Sequence, residues 1–402
     1  MRTAETVIIG GGVVGASVAF HLAERGVKDI LILERESVQG SGSTGKATGG
    51  VRAQFETEIN IRMSLYSLNF FNDWEIDCGY EPRGYLFFAT DENQFHYLRS
   101  NVVKQRELGV KGVEIVNADD VSRIVPGMNC ADIVGGSFGR HDGFIDPVAV
   151  MNGFTAGALG HGARIEFDTR AVSIETGGGR ITAVKTDKGR IECENIVLCA
   201  GAWAANLAKT AGIDLPVEPL KRQIVWAKSR VDLPKDMPMV IDIGSGFHFR
   251  AAREFNLDSM GGTSGNKSAR GTGSCREVLF AYPDRNEKPS FDTNFDDAFI
   301  PKIYEKAKHR ARFLFDTEVV REKCRAGLYE NTPDHHAIIG GCSVEGLYFT
   351  NGFSGHGVMH SPAAGRAMSE IILDGKANFM DVSCLSIERF ATGELLHETA
   401  FI

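Results

Sequence analysis

The first 34 residues hold the feature that most constrains the fold: a mainly apolar strand, a glycine-rich turn, a helix, and a second strand that ends at an acid. Residues 5–9 form the strand and IGGGVVG follows, with Gly10, Gly12 and Gly15 in G-x-G-x-x-G spacing. Gly10 permits a tight turn, Gly12 lets the backbone approach a pyrophosphate, and Gly15 lets the helix pack on the strand. Glu34, about 24 residues after Gly10, is placed to accept hydrogen bonds from ribose hydroxyls and disfavours a 2′-phosphate. The pattern predicts a dinucleotide-binding βαβ unit whose helix N-terminus faces the phosphates.

Composition narrows the class of protein further. A chain of 402 residues suggests two domains, or one domain with a large insertion. The formal charge of −8 argues against nucleic-acid binding. We expect no transmembrane segment, because no apolar run reaches the ~18 residues that a membrane span needs. The first strand starts too close to Met1 for a signal peptide, which predicts a cytoplasmic protein.

The eight cysteines show neither a CxxC pair nor zinc spacing with histidine. We therefore expect reduced thiols and no metal site.

Small residues and apolar runs organise the rest of the chain. The Gly, Ser and Thr-rich stretch over 41–52 is expected to pass close to a ligand. IVLCAGAWA is typical of a strand buried on both faces of a parallel sheet. Further strands and a helix over 299–313 interrupt the nucleotide-binding fold, and a last helix is predicted to open with Ser361 as N-cap and Pro362 as its first residue.

Five segments taken together resemble one known family. IGGGVVG with Glu34, SGSTGKATGGVR, IVLCAGAWA, AGLYENTPD and GFSGHGV are similar to the FAD-dependent amine oxidoreductases of the D-amino acid oxidase superfamily. The resembling branch holds sarcosine oxidase, glycine oxidase and the FAD subunits of heteromeric sarcosine oxidases and proline dehydrogenases. The resemblance runs in order over almost the whole chain and is weakest at 219–324 and after about residue 385.

The resemblance implies an α/β (α+β overall) fold with two interleaved domains. A Rossmann-type FAD-binding domain would comprise residues 1–82, 145–218 and 325–385. A substrate domain with a mixed or antiparallel β-sheet would comprise residues 83–144 and 219–324, and residues 386–402 would form a C-terminal tail.

The resemblance also implies which residues hold FAD. The glycine turn would meet the pyrophosphate, the segment from Thr48 to Gly50 would run past the isoalloxazine, and the loop from Gly352 to Val358 would surround its pyrimidine edge. A helix N-terminus and loop amides there would stabilise the negative charge of the reduced flavin. The residues implied to contact FAD are Gly10, Gly12, Val13, Val14, Gly15, Glu34, Arg35, Ser43, Thr44, Thr48, Gly49, Gly50, Val172, Ala200, Gly201, Trp203, Gly352, Phe353, Ser354, Gly355, His356, Gly357 and Val358.

The implied reaction is hydride transfer to flavin N5 from the carbon next to an amine nitrogen, followed by hydrolysis of the imine. The substrate would be a secondary amine or amino acid that is sarcosine-, proline- or glycine-like. Arg52 falls where related sarcosine oxidases bind a substrate carboxylate, and Tyr329 stands in the register of the carboxylate ligand of glycine oxidase. His248 lies in the strand that covers the substrate in this family, and His356 lies in FSGHG. These four residues are the catalytic candidates, although Arg52 could instead pair with a nearby acid or with backbone, and His248 could be a structural histidine.

Three departures from the family pattern qualify this picture. Met359 stands where monomeric sarcosine oxidases place a carboxylate-binding lysine, which leaves the charge of the substrate open. Gly327 stands where those enzymes attach FAD to a cysteine, and Cys324 is in a different register, so we expect noncovalent FAD. No lysine occurs between residues 255 and 265, where the family places a lysine that promotes reaction with oxygen. This favours a dehydrogenase over an oxidase.

Two other functions stay open. The chain could be a non-catalytic FAD-binding subunit or assembly factor of a larger redox complex. An NAD-dependent dehydrogenase shares only the opening motif and leaves FSGHGV unexplained. The expected partners are a small amine or amino acid and an electron acceptor, either O2 or a carrier or partner subunit; a homo- or hetero-oligomer is left open.

Overall fold

The computed structural model describes residues 2–252 and 276–399 and arranges them around two large β-sheets. The helices are α1 (Val13–Glu24), α2 (Ser43–Lys46), α3 (Glu58–Asp73), α4 (Glu92–Glu107), α5 (Ala118–Ile124), α6 (Pro147–Gly160), α7 (Ala204–Thr210), α8 (Phe299–Ala307), α9 (Arg312–Phe315), α10 (Gly357–Asp374) and α11 (Arg389–Thr392). A short two-stranded ribbon pairs β3 (Gly50–Val51) with β7 (Gly143–Phe144).

The first sheet contains both ends of the nucleotide-binding fold. Its strands are β1 (Arg2–Ile9), β2 (Ile30–Leu33), β8 (Arg164–Glu166), β9 (Ala171–Gly177), β10 (Arg180–Thr186), β11 (Gly189–Leu198), β18 (Ile338–Gly341) and β19 (Leu347–Asn351). Strand β1 lies between β11 and β2 and runs parallel to both, while β19 continues the parallel set beyond β11. One face is covered by α1 and α10 and the other by β9, β10 and α7, which explains why all four residues of β2 are buried and apolar.

The second sheet is mainly antiparallel. Its strands are β4 (Tyr85–Ala89), β5 (Val113–Val116), β6 (Gly135–Gly139), β12 (Glu218–Ser229), β13 (Met239–Asp242), β14 (His248–Ala251), β15 (Glu277–Ala281), β16 (Thr317–Val319) and β17 (Arg325–Asn331). The order is β16-β12-β15-β14-β13-β4-β6-β5, and among these described strands only β13 and β4 pair in parallel. The predicted fold class, a Rossmann-type unit interleaved with a mixed sheet, is confirmed.

The domain limits stay a prediction. One strand from the segment assigned to the FAD-binding domain belongs to the second sheet. Strand β17 falls in the segment assigned to the FAD-binding domain, and it pairs with β12 along the register from Glu218↔Asn331 to Ile224↔Arg325. Residues 325–331 therefore extend the second sheet and bring the following loop to the junction between the sheets.

Two helix predictions are corrected by the structure. The C-terminal helix α10 begins at Gly357, with His356 as N-cap, and Pro362 lies in its second turn. Proline has no N–H for the carbonyl of Val358 four residues earlier, and the hydroxyl of Ser361 donates to that carbonyl at 2.9 Å. The helix end therefore lies within the glycine loop itself. The helix predicted over 299–313 is divided into α8 and α9.

Candidate active site

One cavity of about 530 Å³ lies between the two sheets and joins residues from both ends of the chain. It is reached by the ends of β1, β2, β11 and β19 and by the start of α10, and the second sheet covers it. The predicted site residues that line it are Gly10, Gly12, Val13, Val14, Glu34, Arg35, Ser43, Thr44, Thr48, Gly49, Gly50, Arg52, Val172, Ala200, Gly201, Trp203, His248, Tyr329, Gly355, His356, Gly357 and Val358.

The glycine turn is packed too closely for side chains. Gly10 has a φ of +111°, and a Cβ there would overlap the carbonyl of Cys199. A Cβ on Gly15 would overlap the carbonyl of Gly10, so Gly15 serves the contact between helix and strand. The hydroxyl of Thr44 accepts a hydrogen bond from the N–H of Val13 at 3.1 Å. The N-terminus of α1 thus opens on the cavity beside a small polar side chain.

The predicted adenosine end is closed by an acid and a stacked pair. Glu34 accepts hydrogen bonds from the N–H groups of Gly11 at 3.0 Å and Glu36 at 2.9 Å, which holds its carboxylate at the end of β2. The guanidinium of Arg35 lies 3.6 Å from the ring centre of Trp203. Val172 is 46% exposed at the mouth of the cavity. This end offers a ribose acceptor and a flat surface for a base.

The small-residue segment passes along the cavity as the sequence predicts. The hydroxyl of Ser43 donates to the carbonyl of Leu328 at 2.6 Å, which ties the segment to β17. Arg250 donates from Nε at 3.1 Å and from Nη2 at 2.5 Å to the carbonyl of Thr48. A Cβ on Gly50 would overlap the phenol of Tyr85. The backbone over 48–50 is therefore held from the second sheet.

Four residues predicted to contact FAD serve the structure behind the cavity wall: Gly15, Gly352, Phe353 and Ser354. Phe353 is buried in the core beneath the first sheet. Ser354 has a φ of +50°, and its N–H donates to the carbonyl of Glu330 at 3.2 Å. These residues shape the loop before α10 and carry no cavity surface, because their side chains or backbones are used in packing.

Arg52 is almost completely buried, with 3% of its surface exposed. Its guanidinium lies 3.8 Å from the ring centre of Phe55, and Nη1 donates to the carbonyl of Gln54. Burial lowers the pKa of Arg52, while the carboxylates of Glu398 and Asp142 raise it. An arginine remains charged under these conditions. The cavity therefore holds a fixed positive charge at the predicted carboxylate site.

The segment around Arg52 is locked by a buried carboxyl group. Asp142 accepts hydrogen bonds from the N–H of Ala53 at 2.8 Å and from Nε2 of Gln54 at 3.0 Å. Burial raises the pKa of Asp142 to about 6. Asp142 directly precedes β7, the strand that pairs with β3. The position of Arg52 therefore depends on two parts of the chain that are distant in sequence.

His356 and His248 are held in defined neutral forms. Nη2 of Arg52 lies 3.5 Å from Nε2 of His356, and since a guanidinium only donates, that nitrogen accepts. Burial and the charge of Arg52 keep the pKa of His356 well below its usual range. Nδ1 of His248 donates to the carbonyl of Gly246 at 2.9 Å, so Nε2 is its unprotonated nitrogen. Burial lowers the pKa of His248 to about 4.

Tyr329 lies on β17 of the second sheet, and its ring packs against the glycine loop before α10. A Cβ on Gly355, whose φ is +100°, would overlap the ring of Tyr329. The guanidinium of Arg222 lies 5.4 Å from the centre of that ring. Burial raises the pKa of Tyr329, and Arg222 and Arg52 act in the opposite direction. The predicted group of Arg52, His248, Tyr329 and His356 is thus gathered on one cavity, together with an arginine that the sequence did not point to.

The polar cavity residues that sequence reasoning missed include Arg222, Glu330 and Asn351. Among residues 2–252 and 276–399, no partner bonds to Nε of Arg222, Oε2 of Glu330, or either amide atom of Asn351, and all four atoms are buried. Burial raises the pKa of Glu330 to about 7. The signal that could have found them is a polar residue in an otherwise apolar strand, as in KRQIVW and LYFTNG. Unpartnered carboxyl and amide atoms beside a glycine cradle, here those of Glu330 and Asn351, are what a bound, hydroxyl-rich cofactor such as FAD requires.

The three departures from the family pattern differ in where they fall. A Cβ on Gly327 would lie against Lys46, and Cys324 packs in the core of the second sheet, where the N–H of Trp226 contacts its sulfur at 3.4 Å. Met359 lines the cavity in the first turn of α10. The region 255–265 lies outside the described residues.

Metal ligation and membrane spanning are the two other features that bear on function in the parts of the chain that the structure describes. No group of three or more histidine, cysteine, aspartate or glutamate side chains there is arranged to hold a metal ion. None of the helices in residues 2–252 and 276–399 is both long and apolar enough to span a bilayer.

Comparison with known proteins places the chain. Residues 5–371 match the family model described as "DAO: FAD dependent oxidoreductase". FAD-dependent oxidoreductase domain-containing protein 1 of Xenopus laevis is 32% identical and the match covers 98% of this chain and 84% of that protein. Mitochondrial dimethylglycine dehydrogenase of Mus musculus is 26% identical over 94% of this chain and 43% of its own length. The crystal structure of L-proline dehydrogenase from P. horikoshii superposes with a TM-score of 0.86 and 27% identity, covering 98% of this chain and all of that one.

These findings confirm the predicted superfamily and FAD as the cofactor, whereas the cytoplasmic location stays a prediction. The match to the family model spans both halves of the cavity, from the glycine turn to helix α10. The chain belongs to the DAO family of FAD-dependent oxidoreductases.

Proposed function

We propose that the protein oxidises a secondary amine or amino acid to an imine, which water then hydrolyses. The observation that carries this proposal is the single cavity that joins the dinucleotide cradle to Arg52, His248, Tyr329 and His356. The names of two relatives, dimethylglycine dehydrogenase and L-proline dehydrogenase, support an amino acid or N-methylated amino acid as substrate.

FAD supplies the acceptor for the hydride that leaves the carbon next to nitrogen. The residues that would hold it are the cradle from Gly10 to Val14, Glu34, the 43–50 segment and the loop before α10. The N-terminus of α10 opens on the cavity at Gly357, so its dipole and free N–H groups favour negative charge there.

The chain's own side chains bind and orient the substrate. Arg52 can hold a carboxylate with two parallel N–H donors, which sets both position and orientation. Tyr329 can donate its phenol proton to the same group. His248 presents an unprotonated Nε2, and its lowered pKa makes it a hydrogen-bond acceptor rather than a proton carrier at neutral pH.

An anaerobic substrate screen tests this function. The purified yellow protein is mixed with N-methylated, cyclic and D- or L-amino acids without oxygen, and flavin absorbance is followed. We expect at least one class to bleach the flavin. An unchanged spectrum with the whole panel would contradict catalysis and favour the non-catalytic FAD-binding subunit.

Arg52→Met tests the carboxylate role. We expect KM for an acidic substrate to rise by roughly 10- to 100-fold, because a buried charge-assisted contact is lost. FAD content and the visible spectrum report whether the variant keeps its cofactor. An unchanged KM would remove Arg52 from substrate binding.

We further propose noncovalent FAD and transfer of electrons to an acceptor other than oxygen. Acid precipitation should leave the yellow colour in the supernatant, since Gly327 offers no thiol at the position of family attachment. Admission of oxygen to the bleached enzyme should restore the flavin slowly, and an artificial electron acceptor should restore it quickly. A yellow pellet would overturn the first proposal, and fast reoxidation by oxygen would overturn the second.

A further inference from the structure

Arg222 points a second guanidinium into the cavity from the second sheet. It lies on β12 beside Ile224, its backbone pairs with Gly327, and its guanidinium faces the ring of Tyr329 at 5.4 Å. Nη1 donates to the carbonyl of Lys221 at 3.2 Å. Nε is buried and has no acceptor among the residues described. Burying an N–H of a charged group without an acceptor is costly, so this atom is suited to an acceptor on a ligand.

The two carboxylates that act electrostatically on Arg222 each lie close to a lysine. Asp284 and Glu287 raise its pKa electrostatically, although burial lowers it overall. Asp284 contacts Lys302 at 2.9 Å, and Glu287 lies 3.9 Å from Lys221. Lys221 precedes Arg222 on β12, so its side chain points to the opposite face of the strand. There its Nζ lies 2.8 Å from a carboxylate oxygen of Asp292. Of these two neighbouring cations, Arg222 is the one that lines the cavity.

Arg52 and Arg222 belong to one cavity but have different surroundings. Arg52 lies against Phe55 and His356, whereas Arg222 lies against Tyr329. Both lower the pKa of His248, although burial contributes more. Met359, which lines the cavity from the first turn of α10, adds no charge to it. The guanidinium groups of Arg52 and Arg222 thus line the cavity from two different sides. A ligand with two separate anionic groups could bind both.

We propose that the substrate is an amino dicarboxylate, with one carboxylate bound by Arg52 and a second, side-chain or N-linked carboxylate bound by Arg222. This rests on the proposed amine oxidation for the identity of the reacting group. The second carboxylate would accept the hydrogen bond from Nε of Arg222 and displace no protein ion pair.

Matched substrates test the second charge. N-methylaspartate and N-methylasparagine have nearly the same shape and differ by one carboxylate, and N-methylalanine lacks the group. We expect the KM for anaerobic flavin reduction to be roughly 10- to 100-fold lower for N-methylaspartate than for N-methylasparagine. The homologous N-methylglutamate tests the spacing between the two carboxylates.

Binding without turnover gives a second readout. Calorimetric titration of the FAD-loaded protein compares glutarate and succinate with butyrate. We expect the dicarboxylates to bind at least tenfold more tightly. In Arg222→Gln this advantage should vanish, while the affinity for butyrate changes by less than about threefold. Lys221→Gln is the matched control, because it removes the neighbouring cation on the outer side of the same strand.

The possible outcomes separate the two proposals. Equal binding of N-methylaspartate and N-methylasparagine, or an equal loss for both in Arg222→Gln, would overturn the dicarboxylate assignment while leaving amine oxidation intact. Dicarboxylates that bind through Arg222 but never bleach the flavin would contradict the proposed oxidation and keep the binding site. A large loss of FAD affinity in Arg222→Gln, measured by fluorescence on the apoprotein, would assign Arg222 to the cofactor and overturn the inference. If that variant fails to fold, Arg222→Lys is measured in the same way.

Discussion

Histidines behind the cavity are buried as neutral rings. His360 follows His356 by one helical turn on α10, with its ring 5.4 Å from that of Phe55 and its Nε2 3.0 Å from the hydroxyl of Ser64. Burial, with the charge of Arg52, lowers the pKa of His360 to about 3. Its neutral state is therefore a property of the folded protein and is lost on unfolding.

His360 should make the folded state sensitive to acid. The unfolded chain binds a proton near pH 6.5 and the folded chain only near pH 3, so the stabilising difference is present above pH 6.5 and is lost as the pH falls. Between pH 7 and 4.5 we expect a loss of roughly 2–3 kcal/mol from this one residue. His360→Gln should flatten the dependence of unfolding free energy on pH by that amount. Parallel curves for the two proteins would show that the ring is not buried as a neutral group.

Helices α1 and α10 meet at a contact that only small residues permit. The hydroxyl of Ser17 donates to the carbonyl of Ser361 at 2.7 Å, beside Pro362. A Cβ on Gly365 would overlap both the hydroxyl and the backbone of Ser17. This contact aligns the two helices whose N-termini open on the cavity, since α1 begins at Val13 and α10 at Gly357.

Gly365→Ala should separate these helices. We expect a loss of roughly 1–3 kcal/mol, as for other overpacked interiors, together with weaker FAD binding because both helix ends move. Thermal unfolding and FAD titration measure the two effects. Gly160→Ala is the matched control at the end of α6, where a Cβ meets nothing within 4 Å. Equal behaviour of the two alanine variants would contradict the close contact.

The C-terminal segment ties distant parts of the molecule together. Arg389 on α11 forms a buried ion pair with Asp334, with distances of 2.7 Å from Nε and 3.0 Å from Nη2. Glu398 accepts hydrogen bonds from the N–H groups of Glu56 at 2.8 Å and Thr57 at 3.2 Å, at the start of α3. The segment therefore braces the loop after β17 and the helix after Arg52.

Arg389→Met should destabilise the whole protein. Removing one partner leaves the buried carboxylate of Asp334 unpaired, which typically costs roughly 3–5 kcal/mol. The double variant Arg389→Met with Asp334→Asn should recover much of that loss, because the unpaired charge is gone. Chemical unfolding of the three proteins measures the difference. A double variant no more stable than Arg389→Met would contradict the ion-pair explanation.

At the scale of elements, patterns that are local in the chain were predictable. The glycine turn, Glu34 and the apolar strands are set by neighbours within a few residues. Apolar periodicity over 59–74 and 91–108 likewise predicts two helices, which are observed as α3 and α4. The start of α10 was mispredicted because a serine and proline pair satisfies the rule for a helix N-terminus. A hydrogen bond from Ser361 to Val358 lets the helix pass through Pro362 instead.

By itself, the sequence determined the dinucleotide-binding unit, because that unit depends on glycine spacing and on strands whose periodicity is readable in one dimension. The resemblance of five segments to a known family implied the family and FAD. Tertiary structure alone decided which of the predicted residues face the cavity and which, like Phe353, support it. It also brought Arg222 to Tyr329 and Glu398 to the helix after Arg52, across long stretches of chain. The reason is physical: burial and charge act through space, so the pKa values and partners of these groups are set by neighbours that are remote along the chain.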